Sequence, residues 1–221
     1  MQIQKTNDGS HTLVSKEFGA LYHSSHGSFQ EAKHIFIENG IAALNQKEVT
    51  IFEMGFGSGL NAILTYFYAK ANHLKVNYVS IEAYPVDFET IKQLNYNSFI
   101  NEANFDAVFE KMHQVDWETP QEIDDFFTLT KINAKIEDFD FSKNYLEVFD
   151  IVYFDAFSPN DQENLWQEEV LQKMYDILKK DAFFITYCAK GNFKRCLKSL
   201  QFKVEPLPGP IGKREITKAV K

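Results

Sequence analysis

Hydrophobic and polar positions along the chain follow two periods. Val49–Phe52 is apolar and partly β-branched, the pattern of a buried strand. After a glycine-rich stretch, Leu60, Ile63, Leu64, Phe67, Tyr68 and Ala71 recur at i, i+3, i+4, i+7, i+8 and i+11, one face of a helix. Further strands are predicted at Val76–Ile81, Thr128–Ile136, Glu147–Phe154 and Ala182–Cys188. In Glu147–Phe154 the apolar residues surround only Asp150, which predicts a central strand covered on both faces. Helices are predicted at Val86–Asn95, Phe105–Met112 and Trp166–Leu178, and another begins at Lys190. Lys203–Leu207 and Arg214–Val220, separated by Pro208-Gly209-Pro210, read as an antiparallel pair. Upstream, residues 2–15 predict a hairpin turning at Asp8-Gly9. Ser28 and Glu31 predict a capping box for a helix over Phe29–Asn45. Alternating strands and helices imply an α/β fold, a mostly parallel sheet with helices on both faces. We divide the chain into an N-terminal hairpin-and-helix extension, 1–48, and a main domain, 49–221.

The glycine-rich stretch reads Glu53-Met-Gly-Phe-Gly-Ser-Gly-Leu-Asn61. Gly55, Gly57 and Gly59 sit between strand and helix, where a missing Cβ admits a ligand and helix N–H groups face it. A phosphate-binding loop would end in Gly-Lys-Ser/Thr, and a dinucleotide fingerprint would place its third glycine one residue later. Glu53 disfavours a pyrophosphate and suits a ligand with cationic and hydroxyl groups. S-adenosylmethionine (SAM) has both: an ammonium, a sulfonium and a ribose diol. A tight turn without a ligand is the competing reading. Glu82, at the end of the second strand, is placed to accept hydrogen bonds from the ribose hydroxyls. In Glu137-Asp138, after the third, an acid, taken as Asp138, is placed to meet an adenine amino group; a charged, solvated segment is the competing reading. Asp155 follows the central strand, where open α/β sheets bind their ligands, and is the first catalytic candidate.

Composition narrows the classes. The chain has 221 residues, net charge −8 and two cysteines. Cys188 and Cys196 show no metal or disulfide pattern, so a cytoplasmic protein with reduced thiols is expected. The spacing of His23, His26 and His34 matches no metal motif, and no metal is expected. No apolar run is long enough to span a bilayer. The acidic balance argues against a protein that grips nucleic acid over its whole surface. It leaves room for local basic patches at Lys190, Lys194 and Arg195 and at Lys213-Arg214.

Several stretches together resemble one family. They are Tyr22-His-Ser-Ser-His-Gly27, the glycine loop, Ile81-Glu-Ala-Tyr-Pro85, Tyr153-Phe-Asp-Ala-Phe-Ser-Pro159 with Asn164-Leu-Trp166, Tyr187-Cys-Ala-Lys-Gly191, and Leu207-Pro-Gly-Pro-Ile-Gly-Lys-Arg-Glu215. This is similar to the MnmC/MnmD-type methyltransferases, which complete the 5-methylaminomethyl group on uridine, usually 2-thiouridine, at the tRNA wobble position. The resemblance implies a Rossmann-like class I SAM-dependent fold with a mostly parallel seven-stranded sheet and a terminal antiparallel strand. It implies SAM as cofactor, the tRNA anticodon loop as partner, and methylation of an aminomethyl nitrogen near Asp155. Bifunctional members carry a FAD-dependent oxidoreductase domain. This chain is expected to lack both that domain and FAD, and to take its aminomethyl substrate from a separate enzyme. Tyr22, Phe157 and Trp166 are candidates to stack on the uracil. Lys190, Lys194, Arg195, Lys213 and Arg214 are candidates to meet anticodon-loop phosphates. Bifunctional members commonly have Ala-Pro-x-x-Asn-Pro after the aspartate. Here the chain reads Ser158-Pro-Asn-Asp-Gln-Glu-Asn-Leu165, so a differently shaped loop is expected. The readings that compete with this one are a SAM-dependent enzyme for another amine, an NAD-dependent oxidoreductase, and a non-catalytic scaffold for SAM or RNA.

Overall fold

A computed structural model describes residues 1–221. Ten strands form: β1 Gln2–Lys5, β2 His11–Val14, β3 Glu48–Met54, β4 Lys75–Ile81, β5 Gln121–Asp124, β6 Phe127–Ile132, β7 Phe149–Phe154, β8 Leu178–Thr186, β9 Lys203–Pro208 and β10 Glu215–Val220. The main α-helices are α1 Ser28–Ala32, α2 Leu60–Ala71, α3 Phe88–Ile91, α4 Phe105–Gln114, α5 Glu168–Ile177 and α6 Gly191–Ser199.

Strands β1 and β2 pair as a separate hairpin. The other eight form one sheet in the order β5-β6-β4-β3-β7-β8-β10-β9. Its centre, β6-β4-β3-β7-β8, is parallel, and β5, β10 and β9 join antiparallel. The sheet has one strand more than the expected seven, the short edge strand β5. From β3 the chain runs first to β4 and β6, then returns to β7 on the other side of β3. That reversal opens a crevice at the carboxyl ends of β3 and β7.

Alternation along the central strands divides the core. Val49, Ile51, Val76, Tyr78, Ile151 and Tyr153 face α2 and α4, whereas Phe52, Met54, Val79, Ile81, Val152 and Phe154 face α5 and α6. Burial on both faces accounts for the apolar character of β7. Its one polar member, Asp150, accepts hydrogen bonds from Thr50 N–H and Lys179 Nζ, both at 2.8 Å.

The N-terminal segment departs from expectation in two places. The hairpin turns through a loop over residues 6–10 rather than a two-residue turn, with Thr6 N donating to Ser10 O. Ser28 does not cap α1, because its hydroxyl is engaged by His11 O and Ser10 Oγ. The hairpin loop does that work: Ser10 Oγ accepts from Phe29 N and Asp8 Oδ2 from Gln30 N. Glu31 pairs with Lys213 at 2.6 Å instead of closing a capping box. The expected single helix is broken into α1, a π-helical stretch Lys33–Glu38 and a 3-10 turn Ile41–Ala43.

Candidate active site

The crevice opens into a cavity of about 490 Å³. The loops after β3, β4 and β7 form its floor and sides. The N-terminal segment, at residues 15–18 and 22–23, forms one wall.

Gly55, Gly57 and Gly59 have φ of 88°, 52° and 74°, in the left-handed region that glycine adopts without strain. Packing adds a second reason at two of them. A Cβ on Gly57 would lie 3.2 Å from Tyr22 Cδ1, and one on Gly59 2.8 Å from His113 Cε1. Gly59 is the N-cap of α2, so the tight turn aims the first N–H groups of that helix into the crevice. Gly55 and Gly57 line the cavity, whereas Gly59 lies behind it against His113.

Glu82 lines the cavity. Its carboxylate accepts from Gly57 N–H at 2.9 Å and Tyr84 N–H at 2.8 Å, which locks it to the glycine loop. Burial raises its pKa. Asp155 lines the cavity too, and Asn61 Nδ2 donates to its Oδ2 at 2.9 Å. Burial pushes the Asp155 carboxyl up to about 7, with Glu31 raising it further and Asn61 and Lys213 opposing. The lining carries Glu17, Glu82, Glu137 and Asp155 against Lys16 and Lys135, an excess of acid that favours a cationic ligand.

Glu53, expected to face the ligand, lies behind the cavity wall with 1% of its surface exposed. It accepts from Ser80 Oγ at 2.8 Å, and its contact with the cavity runs through Asn61. Asp138 is exposed and outside the lining. Strand β6 ends at Ile132, four residues earlier than expected, and the turn that follows presents Ala134–Glu137 instead. Glu137 accepts a hydrogen bond from Asn164 Nδ2, a polar pair that sequence reasoning missed.

Tyr22 and Phe157 meet edge to face at 5.0 Å. Phe18, another residue missed, packs on Phe157 at 5.0 Å and on Tyr84 at 5.9 Å. These four aromatic side chains edge the cavity. Tyr84 carried a signal, next to Glu82 in the Ile81–Pro85 stretch, but Phe18 carried none. Trp166 is not among them. It is 6% exposed, packed edge-on against Phe154, Tyr187 and Phe193, and its indole N–H donates to Phe157 O at 2.8 Å. It braces the Phe157 loop from below.

None of the five candidate cations lines the cavity. Lys194 pairs with Glu215 at 2.8 Å; Lys213 pairs with Glu31 and lies over the Tyr187 ring at 4.1 Å. Lys190 donates to Asn160 Oδ1. Arg195 and Arg214 are exposed. The three histidines scatter: His23 meets Thr12, His34 meets Pro208 O, and His26 packs against Gly212.

A model of a family described as S-adenosyl-L-methionine-dependent methyltransferase matches residues 95–221, more than half of the chain. The chain belongs to this family. SAM is therefore its cofactor, and the glycine loop, Glu82 and the acidic lining are a donor set that fits it. Similar curated proteins include the tRNA 5-methylaminomethyl-2-thiouridine biosynthesis bifunctional proteins MnmC of Burkholderia multivorans, 27% identical, and Burkholderia mallei, 28% identical. Each match covers 92% of this chain, which spans about a third of those proteins' length. Among solved structures, MNMC2 from Aquifex aeolicus superposes with a TM-score of 0.75 at 23% identity. That match covers 99% of this methyltransferase and 69% of the Aquifex chain. The superposition supports the class I fold with its antiparallel C-terminal strands.

Proposed function

We propose that this methyltransferase transfers the SAM methyl group to the aminomethyl nitrogen of 5-aminomethyl-(2-thio)uridine at the tRNA wobble position. One observation carries the reading: Asp155, held by Asn61, sits in an acidic cavity edged by Phe18, Tyr22, Tyr84 and Phe157. The names of the similar bifunctional proteins point to the same uridine.

The glycine loop and Glu82 hold the cofactor, Glu82 by accepting from its ribose hydroxyls. Glu137 and Asn164 take the adenine role first expected of Asp138. The aromatic rim receives an extruded uracil and presents its aminomethyl group to Asp155. In the transfer the nitrogen lone pair forms the N–CH3 bond, the C–S bond breaks, and its electrons stay on sulfur. Charge moves rather than appears, so most of the acceleration comes from alignment, with nitrogen about 3–3.5 Å from the methyl carbon. The surplus proton on nitrogen passes to the Asp155 carboxylate. An ordinary aspartate is a weak base at neutral pH, but one raised to about 7 by burial is matched to the task. A separate catalytic unit supplies the aminomethyl group.

The test is incubation with SAM and tRNA purified from cells blocked at the aminomethyl stage, followed by nucleoside mass spectrometry. The wobble nucleoside should gain one methyl group on the side-chain nitrogen. Methylation of a small amine but not of this tRNA would reassign the substrate.

A further inference from the structure

Glu53 is the penultimate residue of β3, and strand alternation turns its carboxyl toward the α2 side of the sheet. Ser80 Oγ donates to it at 2.8 Å, and the Asn61 and Tyr78 side chains lie beside it. None of the ion pairs in the protein includes Glu53 or Asp155. The Asn61 side chain stands between the two, donating to Asp155 and lying beside Glu53. Beside Glu53, two buried polar atoms have no hydrogen-bond partner: Tyr78 Oη and Asn61 Oδ1.

We propose that Glu53 works as a neutral carboxylic acid, holding the one proton of a buried Glu53–Asp155 pair, so that the pair's single negative charge stays on Asp155. The assignment of Asp155 to the substrate amine rests on the function proposed above. Two carboxylates one amide apart, with no paired cation, cannot both ionise cheaply in a buried site. Asp155 is the better place for the charge. It opens on the cavity, accepts a 2.9 Å hydrogen bond from Asn61 and feels Lys213. Glu53 is sealed, and Tyr78 Oη and Asn61 Oδ1 are the unpartnered atoms beside it that can accept from its O–H. Burial raises the Glu53 carboxyl as well, and the Asp155 charge adds to the rise. The other titratable groups around the pair are Lys213, Glu31, Tyr78, Tyr96, Tyr153 and Tyr187. During transfer Asp155 takes the nitrogen's proton and later releases it through the cavity mouth, while Glu53 keeps its own. Glu53 is thus a positioning residue.

Two measurements test this. The first is carboxyl ¹³C NMR of the cofactor-free protein labelled at glutamate, with the Glu53 signal assigned by its loss in Glu53→Gln. If that variant fails to fold, assignment comes from the perturbation in Ser80→Ala. The signal should be that of a protonated acid at neutral pH; a carboxylate signal would overturn the proposal. The second is the pH profile of single-turnover methyl transfer. Glu53→Gln replaces a neutral acid by a neutral amide, so its acid limb should coincide with that of wild type. A limb displaced to lower pH would show that a negative charge had been removed, and would overturn the proposal. The NMR measurement needs no tRNA. Its failure and a failure to methylate tRNA are therefore separate results.

Discussion

In the proposed reaction Asp155 answers two opposed demands. It must lose its proton to receive another from the amine, yet it must sit where water does not compete for the methyl group. Burial resolves the conflict by raising its affinity for a proton, from an ordinary 3.8 to about 7. Linkage attaches a stability effect to that shift. A carboxyl whose pKa is higher in the folded state contributes stability that is fully present below 3.8 and is lost as pH rises through about 7. Asp155→Asn removes the titration. The Tm of this variant relative to wild type should therefore increase as pH is raised across that window in calorimetry. A difference independent of pH would mean that Asp155 titrates normally. The residue itself was legible in the sequence, because an acid ending the most apolar strand has one natural place in a doubly wound sheet. Its base strength was not, since desolvation depends on what α2 and the N-terminal segment lay over it. Glu53 shows the reverse: its position in the motif suggested a ligand contact, and strand alternation turned it inward.

At the scale of elements, the glycine loop works because its backbone is bent into conformations that other residues resist. Gly59 is the most constrained, with positive φ, the α2 N-cap position and the His113 ring where a side chain would begin. Gly59→Ala should destabilise the fold by at least about 1 kcal/mol. It should also weaken SAM binding, both measurable by denaturant titration and calorimetry. Unchanged stability would mean that His113 and the loop can relax. The strands and long helices were readable because each carries a clear period. Strand β5 was not, because Gln121–Asp124 has one buried position, Ile123, and a polar remainder. The cap of α1 was misread for a similar reason. Ser28 and Glu31 have the right spacing, but a distant hairpin loop supplies the acceptors and Lys213 draws Glu31 away. Trp166 looked like a stacking surface, yet the packing of α6 makes it a brace.

For the whole molecule, a tRNA substrate as proposed raises the question of how a chain of net charge −8 would hold a polyanion. Part of its positive charge near the site is already spent internally, Lys194 on Glu215 and Lys213 on Glu31. Arg195 and Arg214 stay exposed on α6 and at the end of the β9–β10 return. Replacing both by glutamate should raise KM for tRNA and flatten its dependence on salt, by about 0.7–0.9 in log–log slope for each lost phosphate contact. Affinity for SAM should not move. An unchanged salt slope would place the tRNA on another face.

The central claim is that Asp155, at the reversal point of the sheet, serves the amine rather than the cofactor. It is tested most directly by single-turnover transfer of radiolabelled methyl from SAM to aminomethyl-bearing tRNA, comparing wild type with Asp155→Asn. SAM affinity is measured alongside by calorimetry. The account predicts near-normal SAM binding and transfer slowed by about 10²-fold or more. Transfer at the wild-type rate, or loss of SAM binding as the sole defect, would contradict it.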